Sequence, residues 1–290
     1  RARANADPQS AQQFLSHLNY YRFSGYCPAF ELQRHNFIGG TTFEDVVAAY
    51  QFDLTLRDLL TEALEIVEVD LRASIAYQFG QRYGAFGHTD PAHFYQYFSH
   101  TDWLDGLRKE AGRSSELFVQ HFQQTYAEFP DLPVWIVTEV MSFGTLSHMY
   151  KGMLKPDQRV VAQQYGIQAS FLKSWMHHCV YIRNLCAHHS RLWDRVWAIR
   201  PELPPIPNWQ PPLLPSDRHL FATLLVLRKL LSHIPTAHAF TTQWRQRVEQ
   251  HISQPPAAPN SLRRMGLSQN WTAHPVWIQQ GNGIAGKQRL

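Results

Sequence analysis

The residues best suited to chemistry sit in one run, Arg183–Trp193, which reads RNLCAHHSRLW. Arginine offers a planar fork of donors to a phosphate, and histidine exchanges protons near neutral pH. Cutting RNA without a metal needs few groups. One base deprotonates the ribose 2′-OH, one acid protonates the leaving 5′ oxygen, and one cation steadies the charge on phosphorus. His188 fits the general base or acid, and Arg183 fits the phosphate and transition-state clamp. A twofold dimer would supply two of each, with Asn184 orienting groups across it. Arg191, Arg195 and His177 are the expected holds on the RNA backbone.

The element that must position these residues is predicted as one helix, Gln168–His189. At about 100° per residue, Leu172, Trp175, Cys179, Ile182 and Cys186 form one apolar stripe that should face the core. His178 and His189 fall near the same side, so His189 is expected to tuck inward and support the site. His177, Tyr181, Asn184, His188 and Arg191 fall on the opposite side, with Arg183 on the flank. Spacing by itself does not single out Arg183 and His188. The same Arg-x4-His interval recurs at Arg228/His233, and five-residue gaps occur at Arg82/His88 and Arg245/His251. A solvated helix face meets the same description. Cys179, Cys186 and four histidines crowd this helix, but on opposite faces and without zinc-site spacing, so neither metal nor cofactor is expected.

One long helix, or two nearly continuous ones, is predicted from Phe43 to about Phe79, uninterrupted by Pro or Gly and ended by Gly80, Gly84 and Gly87. On it Glu68 and Arg72 stand four apart and can pair on one face. They are read either as a layer that orients Arg183 or as a plain helix salt bridge, and Glu65 lies on the same helix. Glu139 is read either as an orienting group or as a local partner. Tyr20, Tyr21, Phe23 and Tyr26 are read as core or as a platform for bases.

Helical spacing continues along the chain: Ala11–Tyr21, Trp103–Glu110, Glu116–Glu128, Val134–Ser142, Thr145–Leu154, Asp157–Gln164, Ser216–His233 and Thr241–His251. Strand alternation is almost absent, and short connections suit an all-α bundle. Residues 1–253 are taken as one helical domain. Residues 254–290 are taken as a Pro-containing tail, partly ordered because Leu267, Trp271 and Trp277 should pack on the body. The 290 residues are 44% hydrophobic but only 17% charged, which fits a surface partly covered by a partner. A net charge of +4 is compatible with a polyanion and with ordinary solubility. Three cysteines without a CxxC pair, no membrane-length apolar run and no visible signal peptide predict a cytoplasmic protein. The chain opens on Arg1 rather than Met.

The run Arg183–Trp193 resembles the signature of the Abi family, the abortive-infection proteins of the AbiD and AbiF type. These are similar to the HEPN superfamily of helical ribonucleases, whose hallmark is Arg, four to six residues, then His, often with a polar residue after the Arg. Arg183-Asn184 and His188 match residue by residue. LNYYRFSGY (Leu18–Tyr26), FDLTLRDLLTEALEIVEVDLR (Phe52–Arg72), WIVTEVMSFGTLSHMY (Trp135–Tyr150) and MGLSQNWTAHPVW (Met265–Trp277) resemble further family motifs. The segment before Phe14 is shorter than that resemblance leads one to expect. The resemblance implies a HEPN-like helical bundle with added helices, a homodimer, and RNA as substrate or as a small regulatory partner. It implies defence against phage by a toxic endoribonuclease held in check, as in a toxin–antitoxin pair. An RNA-binding module without turnover, or a regulatory partner of a toxin, is the competing expectation.

Overall fold

The computed structural model of the chain describes residues 8–279. Its elements in chain order are α1 (Pro8–His17), α2 (Tyr20–Ser24), α3 (Phe43–Tyr83), α4 (His100–Arg113), α5 (Leu117–Thr125), α6 (Val134–Val140) and α7 (Phe143–Gly152). They continue with α8 (Lys155–Gln164), α9 (Ala169–Ala187), α10 (Leu220–Leu231), α11 (His238–Ile252), α12 (Ser261–Arg264) and α13 (Pro275–Ile278). The fold is mainly all-α. Among the described residues the one sheet is a short antiparallel hairpin, β1 (Glu31–Gln33) with β2 (Asn36–Phe37).

The axis of the molecule is α3. Thr42 starts it with a capping box, in which Thr42 Oγ1 accepts from the Asp45 N–H at 3.2 Å and Asp45 Oδ2 accepts from the Thr42 N–H at 2.8 Å. The helix runs four residues beyond the predicted end and stops before Gly84, whose φ of 76° suits glycine. Gly80 lies inside it. A Cβ there would sit 3.1 Å from Val134 of α6, so this glycine permits close helix packing instead of ending the helix.

Helices α6, α8, α9, α10 and α11 all pack on α3. The apolar positions Leu56, Leu60, Ala63, Val67, Leu71 and Ile75 are fully buried among them. Polar ties fix the register. Trp244 Nε1 of α11 donates to the Leu59 carbonyl at 2.8 Å, and Arg82 Nη1 donates to Asp157 of α8 at 2.6 Å. The residues after 253 add to the same core. Trp277 is fully buried between Trp244 and Trp271, and its carbonyl accepts from Arg228 Nε at 3.0 Å. Leu267 is buried with them.

The N-terminal segment departs from the expected single helix. α1 stops at His17, and Asn19 caps a new helix by accepting from the Tyr21 N–H at 2.9 Å. The restart changes the phase, so Phe23 and Tyr26 enter the core while Tyr20 and Tyr21 remain exposed. No single described helix is long and apolar enough to cross a membrane. Cys179 and Cys186 are buried free thiols, pushed up to about 12 and about 11 by burial, and Cys27 is half-buried.

Two buried histidines make the fold sensitive to acid. His178 bonds the Ile199 carbonyl through Nδ1 at 2.7 Å and Thr223 Oγ1 through Nε2 at 2.9 Å. Burial lowers both His178 and His88 to about 4. The folded state therefore prefers neutral imidazole. That stability is complete above about pH 6.5 and is lost as pH falls from there toward 4. Going from pH 7 to pH 5 should remove roughly 2 kcal/mol per histidine. The carboxyls of buried Asp53 and of half-buried Asp70 and Glu110, raised by desolvation, oppose this in part. Urea unfolding at the two pH values checks the prediction, and an unchanged midpoint would contradict it.

Candidate functional site

Helix α9 divides as its sequence predicts. Leu172, Trp175, Cys179 and Ile182 are fully buried and Cys186 nearly so. His177, Arg183, Asn184 and His188 are exposed. The helix holds no Asp or Glu. Among the described residues the side chains of Arg183, Asn184 and His188 have no hydrogen-bond or ion-pair partner.

The helix ends at Ala187, two residues earlier than predicted, and this alters the reading of His189. The His189 N–H bonds to the Cys186 carbonyl at 2.9 Å and the Ser190 N–H to the Leu185 carbonyl at 2.8 Å. That pair of bonds is a Schellman cap with His189 in the left-handed position, φ 52°. Helical rotation therefore does not reach His189. It is exposed rather than tucked inward. Arg191 likewise lies beyond the helix, and its Nη1 is buried without a hydrogen bond, 3.7 Å from Asp194.

A left-handed non-glycine residue costs about 1–2 kcal/mol, and the chain just after it is held at four points. Arg22 Nη1 donates to the His189 carbonyl, and Arg57 Nη1 donates to the Ser190 carbonyl at 3.3 Å. Asp53 accepts from the Leu192 N–H at 3.1 Å and the Trp193 N–H at 2.7 Å. Asp53 is fully buried and also accepts from the Tyr26 hydroxyl and Arg57 Nη1, each at 2.7 Å. Burial pushes its carboxyl up, and the Tyr26, Trp193, Arg57 and Leu192 donors pull it back. Every partner is a donor, which is the pattern of an ionised carboxylate. Burial and the facing Asp53 also push the Tyr26 phenol up.

This clamp was missed by the sequence reading. Its signal was an Asp and an Arg four apart within FDLTLRDLL, on the face that Leu56 and Leu60 share with the core. Glu68 and Arg72 do pair, but Arg72 also donates to the Thr138 carbonyl. They tie α3 to α6 and make no described contact with Arg183, Asn184 or His188. Glu139 is exposed and has no ion-pair partner among the described residues.

The clamp brings the N-terminal motif against the end of α9. Between them lies an open depression of about 500 Å³, lined by Asn19, Tyr21, Arg22, His188, His189, Arg191 and Arg195, with no carboxylate in its wall. Arg195 Nη1 donates to the Arg191 carbonyl at 3.3 Å. Tyr21, 84% exposed, stands at the rim. Arg183 and Asn184 sit one turn back on α9, and His177 lies roughly 16 Å from His188 along the axis. Among the described residues no group of three or more His, Cys, Asp or Glu is placed to hold a metal ion.

A family model described as Abi-like protein matches residues 13–194, more than half of the chain, and the chain belongs to that family. Membership carries an abortive-infection role in phage defence. No curated protein and no solved structure matches the chain. The matched segment holds every residue that lines the depression except Arg195, together with Asp53 and Arg57.

Removing Asp53 leaves Arg57 without its counter-ion and the Tyr26 hydroxyl and two N–H groups unsatisfied. Asp53→Ala should therefore cost roughly 3–5 kcal/mol, and Asp53→Asn less, because an acceptor oxygen remains. Urea unfolding measures both. A loss below about 1 kcal/mol for Asp53→Ala would contradict the clamp.

Proposed function

We propose that the chain is a metal-independent endoribonuclease of the HEPN type, acting in the cytoplasm as a homodimer and restrained by a partner RNA until infection. The supporting observation is the free set of Arg183, Asn184 and His188 at the end of α9, next to a basic depression without a carboxylate. Carboxylates at such a place would repel a phosphodiester, and internal partners would have to be displaced before a ligand could bind.

His188 takes the proton from the ribose 2′-OH, and the oxygen attacks phosphorus. Arg183 steadies the charge that gathers on the phosphoryl oxygens. A second imidazole, from the other copy, returns a proton to the leaving 5′ oxygen. Asn184 orients these groups across the dimer. Arg191, Arg195 and Arg22 hold the neighbouring backbone, with His177 further along the helix. The products are a 2′,3′-cyclic phosphate and a 5′-hydroxyl.

Cleavage should persist in EDTA. His188→Ala should lower its rate by about 10²- to 10⁴-fold. Its thermal midpoint should stay near wild type, because the His188 side chain has no described partner. A gel assay with end-group analysis, run beside a melting curve, checks this. Tight RNA binding with no cleavage by the wild type would sink the enzyme and favour an RNA-binding module.

A further inference from the structure

At the other end of α9 lies a second cationic feature. A groove of about 550 Å³ opens between α8 and the start of α9, lined by Lys155, Arg159 and Lys173 together with Gln158, Gln168 and Ser170. All three cations are exposed, and none has an ion-pair partner among the described residues. No carboxylate lines the groove. The one acid of α8, Asp157, is buried and faces away, engaged by Arg82 and by the Tyr83 hydroxyl. Glu202, from the segment after α9, bonds through its N–H to Ser174 Oγ at 2.7 Å and does not line the groove. The first N–H groups of α9 open on the groove, and Gln168 supplies no side-chain cap to them. These N–H groups add partial positive charge to the lysines and the arginine.

The groove has no aromatic side chain in its wall, so it offers nothing on which a base can stack. Its chemistry suits phosphate alone. It is also joined to the proposed cleavage site. Lys173, His177, Asn184 and His188 follow one another at steps of four, seven and four, which places them on a single exposed stripe of α9. The stripe spans roughly 22 Å from the groove to the depression.

We propose that this groove is a second phosphate-binding site that grips the backbone of the same RNA strand, distant from the phosphate held at His188. The proposal rests on the reading of the α9 end as the RNA-cutting site. The strand lies along the exposed face of α9, and the groove sets how long an RNA must be to be held well. Recognition there is through the backbone, without sequence preference.

The test uses the full chain and a 20-nucleotide 2′-O-methyl oligouridine, which lacks the 2′-OH needed for cleavage. A tetranucleotide of the same chemistry and ATP serve as shorter probes. The variant is Lys155→Gln, Arg159→Gln and Lys173→Gln together, with a melting curve to check folding. The 20-mer should bind the variant about tenfold more weakly, and the slope of log affinity against log salt should fall by about 2. The tetranucleotide should change less than twofold. Equal binding of the 20-mer to wild type and variant overturns the groove and leaves the cleavage reading standing. ATP bound by wild type and lost in the variant, with the 20-mer unaffected, overturns it in favour of a free-nucleotide site. Wild type that binds no 20-mer overturns it too, while cleavage of ordinary RNA remains a separate measurement.

Discussion

One buried carboxylate organises the working end of this protein. Asp53 collects donors from the N-terminal motif through Tyr26, from its own helix through Arg57, and from the chain after α9 through Leu192 and Trp193. Each of these segments alone is a poor fit to the interior. Two ions leave water, and two peptide N–H groups lose their solvent. Together they satisfy one another, so the cost of burial falls only if all three segments arrive. The clamp therefore acts as a condition on assembly. It forces the chain out of α9 through a left-handed residue, carries Trp193 into the core, and leaves His188 standing at the surface.

The site itself follows the opposite logic. Arg183, Asn184 and His188 stand in water with no internal bond to break, so a ligand has only solvent to displace. The scaffold beneath them is closed and the surface above is open. Helix α9 carries both conditions on its two sides, with Trp175 and Cys179 fully buried on one and His177 and Asn184 exposed on the other. A helix of this kind can hold exposed functional groups firmly, because its position is set by the side that cannot move.

The periodic part of this arrangement was legible in the sequence. The buried stripe of α9 and the long run of α3 follow from apolar spacing, which survives whatever the tertiary partners are. The rest depended on events that spacing does not encode. Nothing in CAHHSR marks a helix stop, because the residue that turns left-handed is a histidine where glycine is usual, so the rotation was carried two residues too far. Gly80 looked like a terminator, yet it is a contact point for Val134. Asp53 and Arg57 were given no role, since a buried ion pair is recognised only once its distant donors are known. Glu68 and Arg72 were paired correctly from their spacing, but their third partner, the Thr138 carbonyl, sits on another helix and gives the pair a different task.

The cysteines carry one more consequence. Cys179 and Cys186 lie seven residues apart on one helix, roughly 10 Å along its axis, too far for a disulfide. Burial holds both as protonated thiols, and Cys27, half-buried beside Glu31, is raised as well. Thiolate is the form that oxidants attack. The packing that makes α9 a firm support thus also insulates it from the redox state of its surroundings. A burst of peroxide would meet both thiols of this helix protonated and buried.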